Sequence, residues 1–281
     1  FSRSTTVPDG GSTYSLLMTG ASSVTNTNLN QKVESSGLQS IRQANSYTVS
    51  GWLMSEVAGK VINLSANIPT NLDNHSGYNT VPLSTSATIT GNGVVNSVAQ
   101  ITLTSASTWY YFTATHSNPN GITNFANGFA LFLSFVGQTS TTHKVYLAQV
   151  QMESGPVATP FEHRSYGQEL ALCQRYYYNY VSGNLKSVFA AAAILANYIS
   201  AVITFPVTMR AAPSAVIASG TGYYAEYSQG ETAFSDFTGE RLDVNSATLS
   251  KNAGGVSITA GDSTIVYTKN ASSSISFDAE L

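Results

Sequence analysis

The sequence carries little charge. Only 10% of its 281 residues are Asp, Glu, Lys or Arg, against roughly a quarter in an ordinary globular protein. The net charge is −3, and no Lys/Arg cluster occurs anywhere, so nothing marks a nucleic-acid partner. Cysteine is nearly absent. Cys173 alone excludes a disulfide framework and a cysteine zinc site within one chain, and it is expected as a small hydrophobe on the buried face of a helix. No apolar run is long enough to span a bilayer, the best stretch (188–207) being broken by Asn197, Ser200 and Pro206. No membrane insertion is expected. The chain opens on Phe1 without a basic, apolar leader, and residues upstream of it are expected.

Catalytic motifs are missing too. There is no nucleophile elbow and no zinc-protease helix motif, and the histidines (His75, His116, His143, His163) are scattered beside Asn, Thr or Ser. Gly220 and Gly222 begin a loose G-x-G-x-x-A, but no amphipathic helix follows to cradle a phosphate, so the motif reads as a turn. Asp236, Glu240 and Asp243 are near one another in sequence. They could form a glycosidase pair or ligate calcium, but clustered acids in a loop are more often solvated. The chain is therefore expected to be no enzyme, with no cofactor and no metal.

What is present is alternation. Hydrophobic content is 42% and aromatic content 11%, enough to fill real cores. Ser, Thr, Asn and Gly supply a neutral polar surface. Tyr47, Val49 and Leu53 alternate with Thr48, Ser50, Trp52 and Met54, and Ile62, Leu64, Ala66 and Ile68 with Val61, Asn63, Ser65 and Asn67, the period of strands. Phe129–Val136 is apolar on both faces, as a central strand would be. Gly91, Asn92 and Gly93 suit a tight hairpin. After a connector with Gly155, Pro156 and Pro160, Ser165 and Gln168 form a capping box, and Tyr166, Leu170, Cys173 and Tyr177 recur on one helix face. Strands resume beyond it, and Ile275, Phe277, Ala279 and Leu281 point inward along the last one. The expected fold is all-β: an N-terminal jelly-roll β-sandwich (1–160), a connector with a short helix (161–180) and a C-terminal antiparallel β-sandwich (181–281). Tyr146, Ala148, Val150 and Met152 should close the first core, and Leu170, Cys173 and Tyr177 should open the second.

Aromatic residues are the best lead to a site. Trp52 lies on the Ser/Thr side of its strand, and Trp109 and Tyr111 share a face with Thr113 and Thr115. Flat rings on a polar sheet face can stack on sugars, or can pack under a neighbouring loop or subunit. Tyr223, Tyr224 and Tyr227 form a second cluster, expected in a loop where a partner could reach it. These six are the candidate ligand-contact residues.

Two resemblances join these readings. The runs Tyr47-Thr-Val-Ser-Gly-Trp52, Thr108-Trp-Tyr-Tyr-Phe112 and Val145-Tyr-Leu-Ala-Gln-Val-Gln151 resemble carbohydrate-binding jelly-roll modules found beside glycosidases and in phage virion proteins. The segment from Gln149 to Glu162 is similar to the end of that module in phage tail proteins. Leu170-Ala-Leu-Cys-Gln-Arg-Tyr-Tyr177, Phe205-Pro-Val-Thr-Met-Arg-Ala-Ala-Pro213 and Ile275-Ser-Phe-Asp-Ala-Glu-Leu281 are similar to a C-terminal domain of bacteriophage tail fibre proteins. The resemblance implies a virion structural protein located in a phage tail or fibre. It also implies a homo-oligomer, often a trimer, that mediates host attachment through a cell-surface glycan or receptor. It implies contacts with other virion proteins through the N-terminal or an upstream region. The alternative is a capsid decoration or head-fibre protein with a purely structural role.

Overall fold

The computed structural model describes residues 1–8, 11–44, 46–81, 87–90, 100–117, 123–252 and 255–280. The hairpin expected at Gly91, Asn92 and Gly93 lies outside them, as does Leu281. The described chain forms two units, Phe1–His163 and Arg164–Glu280, both built of antiparallel strands.

In the first unit the period-2 pattern sends every second side chain into one core. The strands are β1 (Ser2–Ser4), β2 (Ser15–Thr19), β3 (Asn26–Val33), β4 (Ser46–Ser55), β5 (Lys60–Asn71), β6 (Asn74–Val81), β7 (Ala87–Thr90), β8 (Gln100–Leu103), β9 (Tyr110–Ser117), β10 (Phe129–Val136) and β11 (Lys144–Ser154). One sheet runs β1-β2-β11-β4-β9-β7; the other runs β3-β10-β5-β6, with β8 also on β5. The chain crosses between sheets at most connections, as a jelly roll does. Leu53, Ile62, Phe112, Phe129 and Phe135 fill the space between them. β10 is central in its sheet, flanked by β3 and β5; Phe129, Leu131, Leu133 and Phe135 enter the core, while Phe132, Ser134 and Val136 on the other face are only half-buried.

One expectation about this core needs correcting. Val145 and Leu147 enter it, whereas Tyr146 and Ala148 lie on the opposite face; Val150 and Met152 then pack against the core after all. The parity of β11 switches because its pairing with β4 slips between Ala148 and Gln151, with Gln149 in the left-handed region at φ 52°. This is a β-bulge. Gly51 makes room for it: a Cβ there would meet the Phe112 ring at 3.1 Å and Val150 Cγ2 at 3.3 Å.

The second unit begins with the helix α2 (Tyr166–Gln174), a separate element from the short α1 (Gln39–Gln43) of the first unit. Its capping box is formed: Ser165 Oγ accepts from the Gln168 amide, and Gln168 Oε1 accepts from the Ser165 amide. Cys173 and Leu170, expected to be buried, are exposed, as are Tyr166 and Leu172. The helix of 9 residues buries none of its side chains, so the line of Tyr166, Leu170 and Cys173 stays uncovered, with Leu172 standing off it. Tyr177 is exposed too.

The strands that follow are β12 (Tyr177–Ser182), β13 (Ser187–Ala192), β14 (Tyr198–Thr204), β15 (Ser214–Ile217), β16 (Tyr224–Tyr227), β17 (Glu231–Phe234), β18 (Thr238–Glu240), β19 (Ser246–Asn252), β20 (Ser263–Thr268) and β21 (Ser274–Asp278). They form three short sheets, β12-β21-β15, β13-β20-β16-β17 and β14-β19-β18, around a single core of residues such as Ile199, Leu249, Val266 and Phe277. Ile275, Phe277 and Ala279 are inward as expected.

Candidate functional site

The bulge, the sheet face and the connector together make a cleft in the first unit. On the face of β4 turned away from the core, Trp52 is paired directly across the strand with Tyr111 of β9. Their ring centroids are 5.2 Å apart and their planes are tilted by 55°, the spacing of a favourable aromatic pair. Both rings are half-buried. The cleft above them measures about 540 Å³ and is lined also by Ser50, Gln149, Phe161 and His163. The bulge brings Gln149 here, and its Nε2 donates to Ser12 Oγ at 2.9 Å.

The connector after β11 forms the wall. It is not loose chain but a strap bonded across the sheet face. Thr48 Oγ1 donates to the Gly155 carbonyl at 2.8 Å, and Thr115 Oγ1 to that of Pro156 at 3.2 Å. Gln151 Oε1 accepts from the Glu162 amide at 2.7 Å. Glu153 accepts from the Thr159 amide at 3.0 Å and from its hydroxyl. Burial works to raise the Glu153 carboxyl pKa, but the bonds from Thr159 and Gln151 prevail and hold it below its ordinary value.

Trp109 stands on the same face, one row along. Its ring meets Tyr146 edge-on at 6.3 Å, and Tyr146 Oη donates to Glu56 at 2.6 Å. Burial and that bond push the Tyr146 hydroxyl up to about 12.

The three tyrosines of the second unit separate. Tyr224, expected in an accessible loop, is fully buried on β16. Its register opposite Thr268 and Phe234 turns it inward; its ring packs on Phe237 at 4.8 Å, and its hydroxyl is 2.8 Å from the Ala218 carbonyl and 2.9 Å from that of Ser274. It cannot touch a ligand. Tyr223 packs against the core from the turn that begins at Gly220. Tyr227 alone is exposed, beside Ile265.

Burial raises the Tyr224 hydroxyl to about 12, nearby Asp236 and Tyr223 adding to the effect. A phenol whose folded pKa lies above its ordinary value of 10.0 stabilises fully below that value and loses its contribution as pH rises toward the folded one. The urea midpoint is therefore expected to fall between pH 10 and 12. Tyr224→Phe should flatten part of that fall while lowering the midpoint at neutral pH; an unchanged alkaline slope would contradict the assignment. Tyr146 and Tyr267, also raised to about 12, and Tyr47, Tyr178 and Tyr180, raised by burial, add to the fall.

The acids between β17 and β19, with Glu240 ending β18, have structural duties. Asp236 pairs with Lys251 at 2.6 Å, Glu240 accepts from Ser250 at 2.6 Å, and Asp243 accepts from the amides of Asn245 and Ser246. Among the described residues no cluster of His, Cys, Asp or Glu could hold a metal ion, and no helix is long and apolar enough to cross a membrane. His116 is buried against Tyr47, with centroids 5.0 Å apart.

Sequence reasoning found Trp52 and Tyr111 and put Ser50 on the face of Trp52, but missed Gln149, Phe161 and His163 as their neighbours. One signal was available for Gln149. Apolar residues stand at odd positions in Val145 and Leu147 and at even ones in Val150 and Met152, as an extra residue between them would produce, while Tyr146 and Ala148 complete an unbroken even series that hides it.

No protein-family model matches the chain, and no curated protein does. Solved structures similar to it include a candidate sugar-binding protein from Bacteroides thetaiotaomicron VPI-5482, at 10% identity and TM-score 0.32 over 51% of this chain and 76% of that one. The tandem CBM22-1–CBM22-2 domain of Paenibacillus barcinonensis Xyn10C follows at 9% identity and TM-score 0.32, covering 99% and 90%. The tripod from the baseplate of bacteriophage Tuc2009 shares 13% identity at TM-score 0.27, covering 91% and 80%. Scores this low establish neither a shared fold nor a shared function.

Proposed function

We propose that this chain is a virion protein of a bacteriophage tail fibre that attaches the particle to a host-surface glycan. It acts by binding rather than by catalysis. The observation that carries the reading is the cleft over Trp52 and Tyr111: two tilted rings with hydroxyl and amide groups at their edge. Such a set stacks on the C–H faces of a sugar while its polar groups meet the hydroxyls. A surface with so few charges suits a neutral, heavily hydroxylated partner.

One such cleft gives modest affinity, so attachment relies on several copies acting at once. The second unit supports assembly, for Val202, Val216, Ile265 and Tyr227 are exposed on four of its strands. The proposed occupant of these surfaces is a second copy of the chain, most simply in a trimer. Light scattering after size exclusion is expected to return a multiple of the monomer mass, and the assembled protein should bind host cells and be displaced by their purified surface polysaccharide. A stable assembly with no binding to host cells would favour capsid decoration, with these same apolar side chains serving a structural lattice.

A further inference from the structure

One residue of the cleft is held in a backbone conformation that its side chain disfavours. Among the described residues other than glycine with a left-handed φ, Gln149 is the one inside a strand; Ser23, Asp73, Ser107, Leu185, Asn197 and Arg241 are in turns or bends. A Cβ crowds the following carbonyl in that region, and glycine escapes the crowding. The bulge needs the conformation but not the side chain. Gln149 and Val150 together stand opposite Gly51, between the pairs Ala148–Trp52 and Gln151–Ser50. The extra residue lets Val150 reach the core, and a glycine at 149 would do this with less strain.

What the Gln149 side chain adds lies on the other face. Tyr111, Trp52 and Ala148 form one row across β9, β4 and β11. Gln149 lines the cleft at the β11 end of that row and is half-buried there. Its Nε2 donates one hydrogen to Ser12 Oγ at 2.9 Å, which fixes the plane of the amide. Nε2 carries a second hydrogen, and Oε1 has two lone pairs. Rings stack on C–H groups and tell hydroxyl positions apart poorly; a fixed amide beside them tells them apart well. Strain kept at a cleft, where glycine would serve the fold, marks a side chain retained for contact.

We infer that Gln149 is the specificity-determining residue of the cleft, its amide bonding one ring hydroxyl of the sugar seated on Trp52 and Tyr111. The inference rests on the glycan reading above. It deepens that reading by giving the rings the affinity common to neutral sugars and Gln149 the choice among them.

The test is a tryptophan-fluorescence titration of the full chain with the methyl glycosides of glucose, galactose, mannose and N-acetylglucosamine. The monodeoxy derivatives of the tightest binder follow. Removal of one particular hydroxyl is expected to weaken binding by about five- to tenfold, the worth of one hydrogen bond. In Gln149→Ala and Gln149→Gly the parent sugar should bind only as well as that deoxy sugar, and this one penalty should vanish while the others persist. A role in folding alone would not erase a single penalty. Glycine also relieves the backbone, so Gln149→Gly should melt above Gln149→Ala; melting at or below it would refute the strain argument. Folded variants that keep every deoxy penalty, while Trp52→Ala loses binding, would overturn the role of Gln149 and leave the glycan reading standing. No saturable binding of any of these glycosides by the parent protein would overturn both.

Discussion

Phe277→Ala is expected to cost the second unit ~3–5 kcal/mol, the range for emptying a buried phenylalanine site. Phe277 is fully buried on β21, the central strand between β12 and β15. Its ring lies 4.9 Å from Phe205 and is stacked on Tyr178 at 6.4 Å, with Tyr180 at the same distance. Aromatic side chains on β12, β21 and the segment after β14 thus share one centre, and removing it leaves a cavity that three short sheets cannot close by sliding together. Whole domains are stable by only ~5–15 kcal/mol, so the loss should bring the unit close to unfolding at ordinary temperature. Urea denaturation followed by hydrogen exchange of the β12, β15 and β21 amides reads it directly. Phe277→Leu retains most of the volume and should cost far less. A midpoint for Phe277→Ala within error of the unaltered chain would show that this aromatic cluster is not the centre of the unit.

Trp52→Ala should weaken glycan binding by about thirtyfold or more, corresponding to ~2 kcal/mol for truncating a central aromatic contact. The cost falls on binding because the ring is outside the core: Trp52 touches Tyr111 on the outer face, while its neighbours Gly51 and Leu53 face inward. Thermal unfolding of the first unit should therefore move little. Trp52→Phe keeps a smaller ring and should fall between the two. Trp109→Ala makes a useful contrast, since its ring is committed to Tyr146; it is expected to affect stability more than affinity. If Trp52→Ala binds host glycan as tightly as the parent, the cleft is not where attachment occurs.

These contrasts trace how far the sequence could be read. Strict alternation in β4, β5 and β21 revealed both their strand character and the side each residue faces, since burial of one face enforces period 2. The capping box placed the start of α2, because its two bonds are local and independent of the remainder of the protein. What the sequence hid was tertiary. Tyr224 and Tyr227, three residues apart, must face opposite ways in any strand, but the Gly-flanked segment reads as a loop, and only its pairing with β17 and β20 makes it a strand that buries one and exposes the other. The strap was unreadable for a similar reason: Gly155, Pro156 and Pro160 signal a turn-rich linker, and only the long-range hydroxyl and carboxylate bonds from β4, β9 and β11 turn it into a wall. Half of the cleft was therefore visible as a face, Trp52 with Tyr111, and the other half was not.

The bulge at Gln149 works as a reading-frame device for β11. Before it, odd-numbered side chains build the core; after it, even-numbered ones do. Loss of Gln149 itself would restore unbroken alternation, because the extra residue is the one that β4 leaves unopposed: Val150 and Met152 would stay on the core side and Gln151 and Glu153 on the side of the strap. What would go is the side chain that the bulge turns into the cleft. A residue lost beyond the bulge would instead exchange the faces of everything after it, turning Glu153 away from the strap and into the core. A change in count is thus absorbed at the bulge and disruptive after it.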